Sequence, residues 1–157
     1  MPSVWVELMG DPIPLARVAE FIHGDPSVGG IVTFEGATRL ESDAEHGTLR
    51  YLEYEAYRAM AMRQLERIAQ DAKDCWCLGR VAILHRLGRV APADVSVIVA
   101  VAGGHRAGPF EACRWVIDTL KSHVAIWKKD VFADGHERWA ESKVWDEGTE
   151  ERREPRA

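Results

Sequence analysis

The stretch DVSVIVAVAG, residues 94–103, limits the possible folds more than any other part of the sequence. After Asp94 it carries no charge, and the side chains on both faces of a strand here would be apolar or small. Such a strand is buried on both faces, so it lies inside a sheet that is covered on each side. The chain has 157 residues, of which 46% are hydrophobic, and this is enough to build the required core.

The remaining patterns predict strands and helices in the order β-α-β-β-α-β-β-α-β. Alternating or β-rich stretches predict strands over residues 4–8, 29–39, 48–57, 80–90 and 94–103, with a last strand near 124–130. Helical spacing and favourably placed prolines predict helices over residues 11–24, 58–73 and 109–123. The turn APAD favours antiparallel pairing of the strands on either side of it. This mixture indicates an α+β or mixed α/β fold with strands and helices packed in layers.

Two stretches lack such periodicity. The segment LESDAEHG, residues 40–47, is typical of an exposed, mobile loop. The charged end DEGTEERREPRA, residues 146–157, is typical of a frayed, disordered tail. We therefore predict one domain over residues 1–145, followed by this tail.

Charge and cysteine usage restrict the class of protein. The net charge of −5 argues against non-specific nucleic-acid binding, which depends on basic surfaces. No apolar run is long enough for a membrane span, and the N-terminal residues lack the pattern of a signal peptide. The three cysteines, Cys75, Cys77 and Cys113, do not form a disulfide or zinc-site pattern, so we expect buried, reduced thiols in a cytoplasmic protein without a metal.

The third helix carries a lysine close to its apolar side. At roughly 100° per residue, Phe110, Cys113, Ile117 and Leu120 form a predicted buried stripe, and Lys121 lies about 20° from Phe110. The lysine stem could cover apolar surface while the ammonium reaches water, or the charge could interact with the helix dipole. Alternatively, Lys121 stands at the wall of a pocket that binds an anion.

Other cations also stand at the ends of predicted elements. His105 and Arg106 follow two glycines and precede a helix N-terminus, where backbone N–H groups favour an anion. Arg39 follows a predicted strand, and Lys128 and Lys129 follow Trp127, whose ring we expect to anchor the segment. Each could equally be a solvated surface residue. The chain has no GxSxG, P-loop, GxGxxG or HExxH motif, so an enzymatic nucleophile would have to come from elsewhere.

Five blocks in order, GGIVTFEGATR, LEYEAY, RVAILHRLGRV, GHRAGPFEACRWVIDTLK and VAIWKKD, resemble the large, catalytic subunit of molybdopterin synthase. The resemblance implies an α/β hammerhead fold with an additional antiparallel sheet, and a homodimer. It also implies a small ubiquitin-like partner, which carries a C-terminal Gly-Gly thiocarboxylate and completes a heterotetramer. The implied reaction is transfer of two sulfurs to cyclic pyranopterin monophosphate, which forms the dithiolene of molybdopterin. It implies no bound cofactor or metal.

The resemblance also implies site residues. It assigns catalysis to Lys121 and Lys128, by charge stabilisation or proton transfer. The substrate-binding residues that it implies are Thr38, Arg39, His105, Arg106, Lys121, Lys128, Lys129 and Asp130. Two other interpretations stay open at this point: a non-catalytic module that binds a ubiquitin-like protein or a phosphate ligand, and a structural dimerisation domain with a basic patch.

Overall fold

Strands and helices alternate through residues 2–140, the part of the chain that this computed structural model describes. The helices of this part are α1 Leu15–Ile22, α2 Arg58–Cys75 and α3 Ala107–His123. Its strands are β1 Val4–Met9, β2 Gly30–Ala37, β3 Ser42–Asp43, β4 Gly47–Ala56, β5 Leu78–Arg86, β6 Gly88–Val90, β7 Val95–Gly103, β8 Ile126–Phe132 and β9 Glu137–Trp139. The α+β class predicted from the sequence is confirmed.

The first sheet has the strand order β1-β5-β7-β2. Strand β7 pairs antiparallel with β5 and β2, while β1 and β5 are parallel. Every residue of β7 after Val95 is buried. The prediction of a central strand buried on both faces is therefore confirmed.

Helices cover both faces of this sheet. Along β5, Val81 and Ile83 belong to a core shared with α2 and α3, whereas Ala82 and Leu84 belong to a core with α1. This alternation follows from the period of two along a strand. The two cores explain why neither face of β5 or β7 carries the usual polar alternation.

The second sheet is antiparallel and contains β3, β4, β8 and β9 in that order, with β6 also paired to β4. It corresponds to the additional antiparallel sheet expected from the resemblance. Its inner side rests on a small core of Leu49, Leu52 and Phe132, against which Tyr54 packs.

The strand predicted over residues 80–90 is in fact two strands in different sheets. Strand β5 ends at Arg86, and β6 begins at Gly88, whose φ of 81° lies in the left-handed region. Glycine enters this region without the steric penalty of a Cβ atom. The chain can therefore leave the first sheet at Leu87 and join the second, so the single-strand prediction is wrong.

The segment predicted as a free loop, residues 40–47, forms a short hairpin in which β3 pairs with β4. Asp43 accepts hydrogen bonds from the backbone N–H groups of Glu45 and His46, which lower the pKa of its carboxyl. The imidazole of His46 contacts Asp134 at 2.8 Å and stacks on His136 at 3.6 Å between ring centroids. These contacts tie the hairpin to the β8–β9 turn.

Helix α3 buries a stripe that differs slightly from the predicted one. Cys113, Ile117 and Leu120 are buried as expected, but Phe110 is 63% exposed. Pro109, Ala112 and Val116 are buried as well. The buried face of α3 is therefore rotated away from Phe110 relative to the predicted stripe. Placing Phe110 in the core was therefore wrong. Because Lys121 lies close to Phe110 on the helical wheel, it projects from the edge of the buried face.

The predicted tail, residues 146–157, and the predicted domain boundary at residue 145 lie outside the described residues. Among the helices of residues 2–140, none combines the length and apolar character that crossing a membrane requires.

Candidate functional site

A cavity of about 330 Å³ opens where the two sheets and the C-terminal end of α3 meet. Its volume falls within the range of small-molecule sites, roughly 300–1,000 Å³. Its polar and charged lining residues are Thr38, Arg39, Glu41, Tyr54, His85, Ser96, Lys121, Lys128 and Asp130. Leu49, Leu52, Leu120, Ile126 and Trp127 supply apolar wall.

Three of the cations singled out in the sequence line this one cavity: Arg39, Lys121 and Lys128. They come from three separate parts of the fold, because Arg39 follows β2, Lys121 lies in the last turn of α3 and Lys128 lies in β8. Like charges at close range repel each other, so such a group favours an anionic ligand that neutralises it. The chain as a whole is acidic, so this local concentration of positive charge does not follow from a basic overall composition.

Lys121 is positioned by the last turn of α3. Its neighbour Leu120 is buried, and Val124 ends the helix with a backbone N–H bond to the Leu120 carbonyl at 3.2 Å. The side chain of Lys121 itself is exposed at the cavity wall. The sequence offered snorkelling, dipole stabilisation and a pocket wall for this lysine; its position fits both of the last two.

Strand alternation separates the two lysines of β8. Lys128 and Asp130 share one face and line the cavity, with 3.8 Å between the Lys128 Nζ and Asp130 Oδ1 atoms. Lys129 lies on the other face, where its Nζ contacts Glu137 at 3.1 Å and Glu53 at 3.5 Å. The hydrogen bond from Lys129 to Glu137 raises the pKa of this lysine. Lys129 is thus outside the cavity for which it was a candidate.

Thr38 and Arg39 are held by the turn before β7. The Thr38 N–H donates to the Asp94 carbonyl at 3.0 Å, and the Thr38 carbonyl accepts from the Ala93 N–H at 2.8 Å. The Arg39 guanidinium extends into solvent at the rim and contacts Glu41 at 3.1 Å. The Thr38 hydroxyl is buried and has no hydrogen-bond partner within residues 2–140.

The floor of the cavity contains polar residues that the sequence analysis missed: Tyr54, His85 and Ser96. The Tyr54 hydroxyl donates to Ser96 Oγ at 3.4 Å, and Ser96 Oγ donates to the Gly36 carbonyl at 3.1 Å. Burial raises the pKa of Tyr54, so its phenol stays neutral. A signal was present, because His85 and Ser96 are polar residues within otherwise apolar buried strands.

His105 and Arg106 do not line this cavity. They precede α3, whereas Lys121 ends it, and fifteen helical residues at 1.5 Å each separate Arg106 from Lys121 by about 22 Å. Both side chains are exposed. Within one chain, the expected cluster of cations is therefore divided between the two ends of α3.

Of the two glycines before His105, which were expected to let a ligand approach the backbone closely, Gly103 has a packing role instead. A Cβ on Gly103 would lie 3.1 Å from Pro109 and 3.2 Å from Leu78, so this glycine makes room for packing of the α3 N-terminus. A Cβ on Gly104 would meet no atom closer than 3.9 Å.

The cysteines differ in environment. Cys113 is buried in the core, and burial raises its pKa to about 11. Cys75 is half-buried and Cys77 is exposed, so the expectation of three buried thiols is wrong for Cys77. Cys77 lies two residues after the end of α2 and has a φ of 51°. None of the three thiols lines the cavity.

The sequence of the chain is similar to those of known proteins. Residues 8–123 match the family model described as MoaE protein. The chain is 44% identical over 131 residues to the molybdopterin synthase catalytic subunit of Oryza sativa subsp. indica, covering 83% of this chain and 66% of that protein. It is 41% identical over 140 residues to the protein of that name from Halalkalibacterium halodurans, covering 88% and 86%. The chain thus spans just under two thirds of the rice relative's length.

Solved structures share the fold. The crystal structure of molybdopterin synthase from Staphylococcus aureus superposes with a TM-score of 0.78 at 31% identity, covering 85% of this chain and 95% of the other. The MoaE protein from Burkholderia ambifaria gives a TM-score of 0.72 at 34% identity, covering 92% and 93%. The matched family model covers the cavity residues of β2, β4, β5, β7 and α3. This chain belongs to the MoaE protein family.

Proposed function

We propose that the chain is the catalytic subunit of a molybdopterin synthase. It would transfer sulfur from the thiocarboxylated C-terminus of a small ubiquitin-like subunit to cyclic pyranopterin monophosphate, forming the dithiolene of molybdopterin. The names of relatives at 41–44% identity support this activity. The observation that carries the proposal is the cavity that Arg39, Lys121 and Lys128 line together, above a buried floor of polar residues.

The cavity fits an anionic substrate with a polar ring. Arg39 is suited to the phosphate, because a guanidinium presents paired N–H donors to phosphate oxygens. Lys121 and Lys128 would stabilise the charge that develops as sulfur adds and the cyclic phosphate opens. Preorganised donors of this kind are each worth roughly 3 kcal/mol of transition-state stabilisation. Asp130 lies 3.8 Å from Lys128 and would orient its ammonium.

The sulfur would come from the partner. Within the described residues, the cavity wall offers no thiol, and Cys113 is held in the core in its protonated form. A carrier with a flexible C-terminal tail would bring the thiocarboxylate to the cavity, where Lys121 at the exposed end of α3 would meet it. This division of work explains a reaction site that, among the described residues, has cations but no thiol.

A homodimer would give His105 and Arg106 a role in substrate binding. Arg106 packs against the first residue of β2, where a Cβ on Gly30 would lie 3.1 Å from its Cα. Arg39 lies at the other end of β2, two residues after its last residue Ala37. Within residues 2–140, β2 pairs with β7 alone, and the middle of β2 exposes Thr33, Phe34 and Glu35.

Such an exposed edge strand favours pairing with a second copy about a twofold axis. Antiparallel pairing of two β2 strands would place the start of one beside the end of the other. His105 and Arg106 of one subunit would then stand near Arg39 of its partner. Two such catalytic chains and two small subunits would make the heterotetramer, and three cysteines in the thiol form support a cytoplasmic location.

Reconstitution tests the activity. The purified chain is mixed with a thiocarboxylated small subunit and cyclic pyranopterin monophosphate, and molybdopterin is measured after oxidation to a fluorescent derivative. We expect product with the thiocarboxylate and none with the ordinary carboxylate form of the same subunit. Substrate binding and partner binding without product, with both partners active alongside a known synthase, would favour a non-catalytic binding module instead.

A further inference from the structure

The turn between β6 and β7, residues 91–94, has a backbone conformation that its sequence does not favour. The Asp94 N–H donates to the Ala91 carbonyl at 3.1 Å, which closes a four-residue β-turn. Pro92 and Ala93 are its central residues, and Ala93 has a φ of 72°. A type II turn requires a positive φ at this third position, where glycine is usual. Ala93 is therefore strained, and such strain persists only where surrounding contacts impose it.

The contacts that impose this conformation are made with Thr38. The Ala93 N–H donates to the Thr38 carbonyl at 2.8 Å, and the Thr38 N–H donates to the Asp94 carbonyl at 3.0 Å. The pairing of β2 with β7 shifts register between Gly36 and Ala37, and β2 ends at Ala37. The turn thus provides hydrogen bonds to both backbone groups of a residue that lies just beyond the regular ladder.

A buried arginine holds the same turn from the first sheet. Arg86 ends β5 and is 9% exposed. Its Nη1 atom lies 3.4 Å from Asp94 Oδ2, and its Nη2 donates to the Arg89 carbonyl at 3.1 Å. An ion pair of this kind adds little net stability, because desolvation of the guanidinium offsets the attraction. It does restrict the two groups that it joins to one arrangement.

The position of Arg39 depends on this backbone. The Arg39 side chain is 85% exposed and contacts Glu41 at the rim, so little packing fixes its stem. Ordering a long, exposed side chain opposes binding, and this cost is smaller when the backbone that carries it is already fixed. Thr38 lines the cavity directly before Arg39, and its buried hydroxyl has no hydrogen-bond partner among residues 2–140.

We propose that Arg86, Ala93 and Asp94 are positioning residues, which hold Thr38 and Arg39 where they bind the phosphate of the substrate. This inference rests on the proposed function and deepens it. None of the three residues lines the cavity, so they act through the backbone of residues 38 and 39. Positioning of this kind is worth a large factor, since a displacement of about 1 Å in a binding group can cost on the order of 10²-fold in rate.

A double-mutant cycle tests whether the turn acts through Arg39. Asp94→Ala removes the carboxylate that faces Arg86. Calorimetry is done on the complex with the carboxylate form of the small subunit, which cannot turn over. We expect Asp94→Ala to weaken binding of cyclic pyranopterin monophosphate about three- to tenfold. In a chain that already carries Arg39→Ala, it should weaken binding less than about twofold, because the group that it positions is absent.

A merely structural role gives a different pattern. Equal factors in the two backgrounds, or no weakening in either, would overturn the proposal. Arg80→Gln is the matched control, because Arg80 also lies in β5 and donates to backbone carbonyls, those of Phe21 and His23, away from the cavity lining. This control should lower the Tm and leave the Kd for the compound unchanged. A Kd raised as much by Arg80→Gln as by Asp94→Ala would also overturn the proposal.

If Asp94→Ala does not fold, Pro92→Gly enters the same cycle. Proline presets the φ of the second turn residue, and glycine there frees the backbone. Weakening of about threefold or more that falls below about twofold with Arg39→Ala supports the proposal. Equal effects in both backgrounds, including none, overturn it.

Binding and turnover together separate this inference from the proposed function. If the wild type binds the compound with the expected coupling but makes no product with the thiocarboxylated subunit, the catalytic proposal fails and the positioning assignment stands. If product forms and the two losses of binding are additive, only the positioning assignment fails.

Discussion

At the residue scale, neighbouring lysines of β8 have opposite environments, and this contrast is testable. Lys128 lines the cavity, whereas Lys129 contacts Glu53 and Glu137 on the other face. We expect Lys128→Ala to lower kcat by about 10²–10³-fold, because a preorganised cation is lost from the transition state.

Lys129→Ala is its control. We expect kcat to change less than about twofold, with a small decrease in Tm from the lost ion pairs. Both values come from the reconstituted assay and thermal unfolding of the same preparations. A larger loss of turnover from Lys129→Ala than from Lys128→Ala would contradict the placement of the site.

The buried thiol of Cys113 makes stability depend on pH. Its pKa rises from 9.0 to about 11 in the folded protein because burial disfavours the thiolate. The unfolded chain therefore loses this proton first as the pH rises, so the contribution is present below pH 9 and disappears between about 9 and 11. The free energy of unfolding should fall by on the order of 2–3 kcal/mol across this range from this group.

Urea unfolding at pH 8, 9, 10 and 10.5 measures this dependence. Cys113→Ala should show a smaller slope over the same range, although the smaller side chain lowers stability at every pH. An unchanged slope in the variant would mean that other groups cause the alkaline loss.

At the element scale, the passage from β5 to β6 depends on one glycine. Gly88 has a φ of 81°, and a Cβ there would meet no atom within 4 Å. Gly88→Ala therefore adds backbone strain without a clash, and we expect a cost of about 1–2 kcal/mol. This corresponds to a Tm decrease of about 3–6 °C for a domain of this size.

Gly10→Ala serves as the matched control, because that position also has open space but no positive φ. Its Tm should stay within about 1 °C of the wild type or rise slightly. Differential scanning calorimetry compares the two variants. Equal Tm values for both would show that the chain reaches the second sheet without needing a left-handed residue.

The same elements show what the sequence could predict. The uncharged, largely apolar sequence of β7 is compatible only with burial on both faces, and its central position in the sheet was predicted correctly. The break between β5 and β6 was not, because it depends on a backbone angle at Gly88 that a pattern of apolar residues does not encode. Phe110 fits the helical period of the stripe, yet its surface remains exposed because no element of residues 2–140 covers it.

The candidate site could also be predicted only in part. The sequence showed that several cations lie near the ends of predicted elements. It did not show which side of β8 faces the cavity, and this decides that Lys128 lines it and Lys129 does not. The floor residue His85 was visible in the sequence only as a polar residue in an apolar strand. That it lines the cavity depends on the tertiary structure, since the strand pattern does not reveal what lies above it.

At the scale of the whole molecule, the separation of about 22 Å along α3 between Arg106 and Lys121 leads to a prediction about assembly. We expect Arg106→Ala and Lys121→Ala each to abolish most activity as pure dimers. Dimers mixed at random should recover about a quarter of wild-type activity, because half of them contain one intact site out of two.

Co-expression of the two differently tagged variants gives the random mixture, and tandem purification on both tags then isolates the mixed dimers, which should show about half of wild-type activity. A double variant carrying both substitutions on one chain, mixed with wild type, provides the matched comparison. If mixing the single variants recovers no activity although mixed dimers are present, each site uses residues from one chain only.

The most direct test of the site is a crystal structure of the complex with cyclic pyranopterin monophosphate bound. We expect the phosphate within about 3.2 Å of Arg39 or Lys128, and the ring deeper in the same cavity. Density for the compound at a surface remote from Lys121 and Lys128, with the cavity left empty, would contradict this assignment.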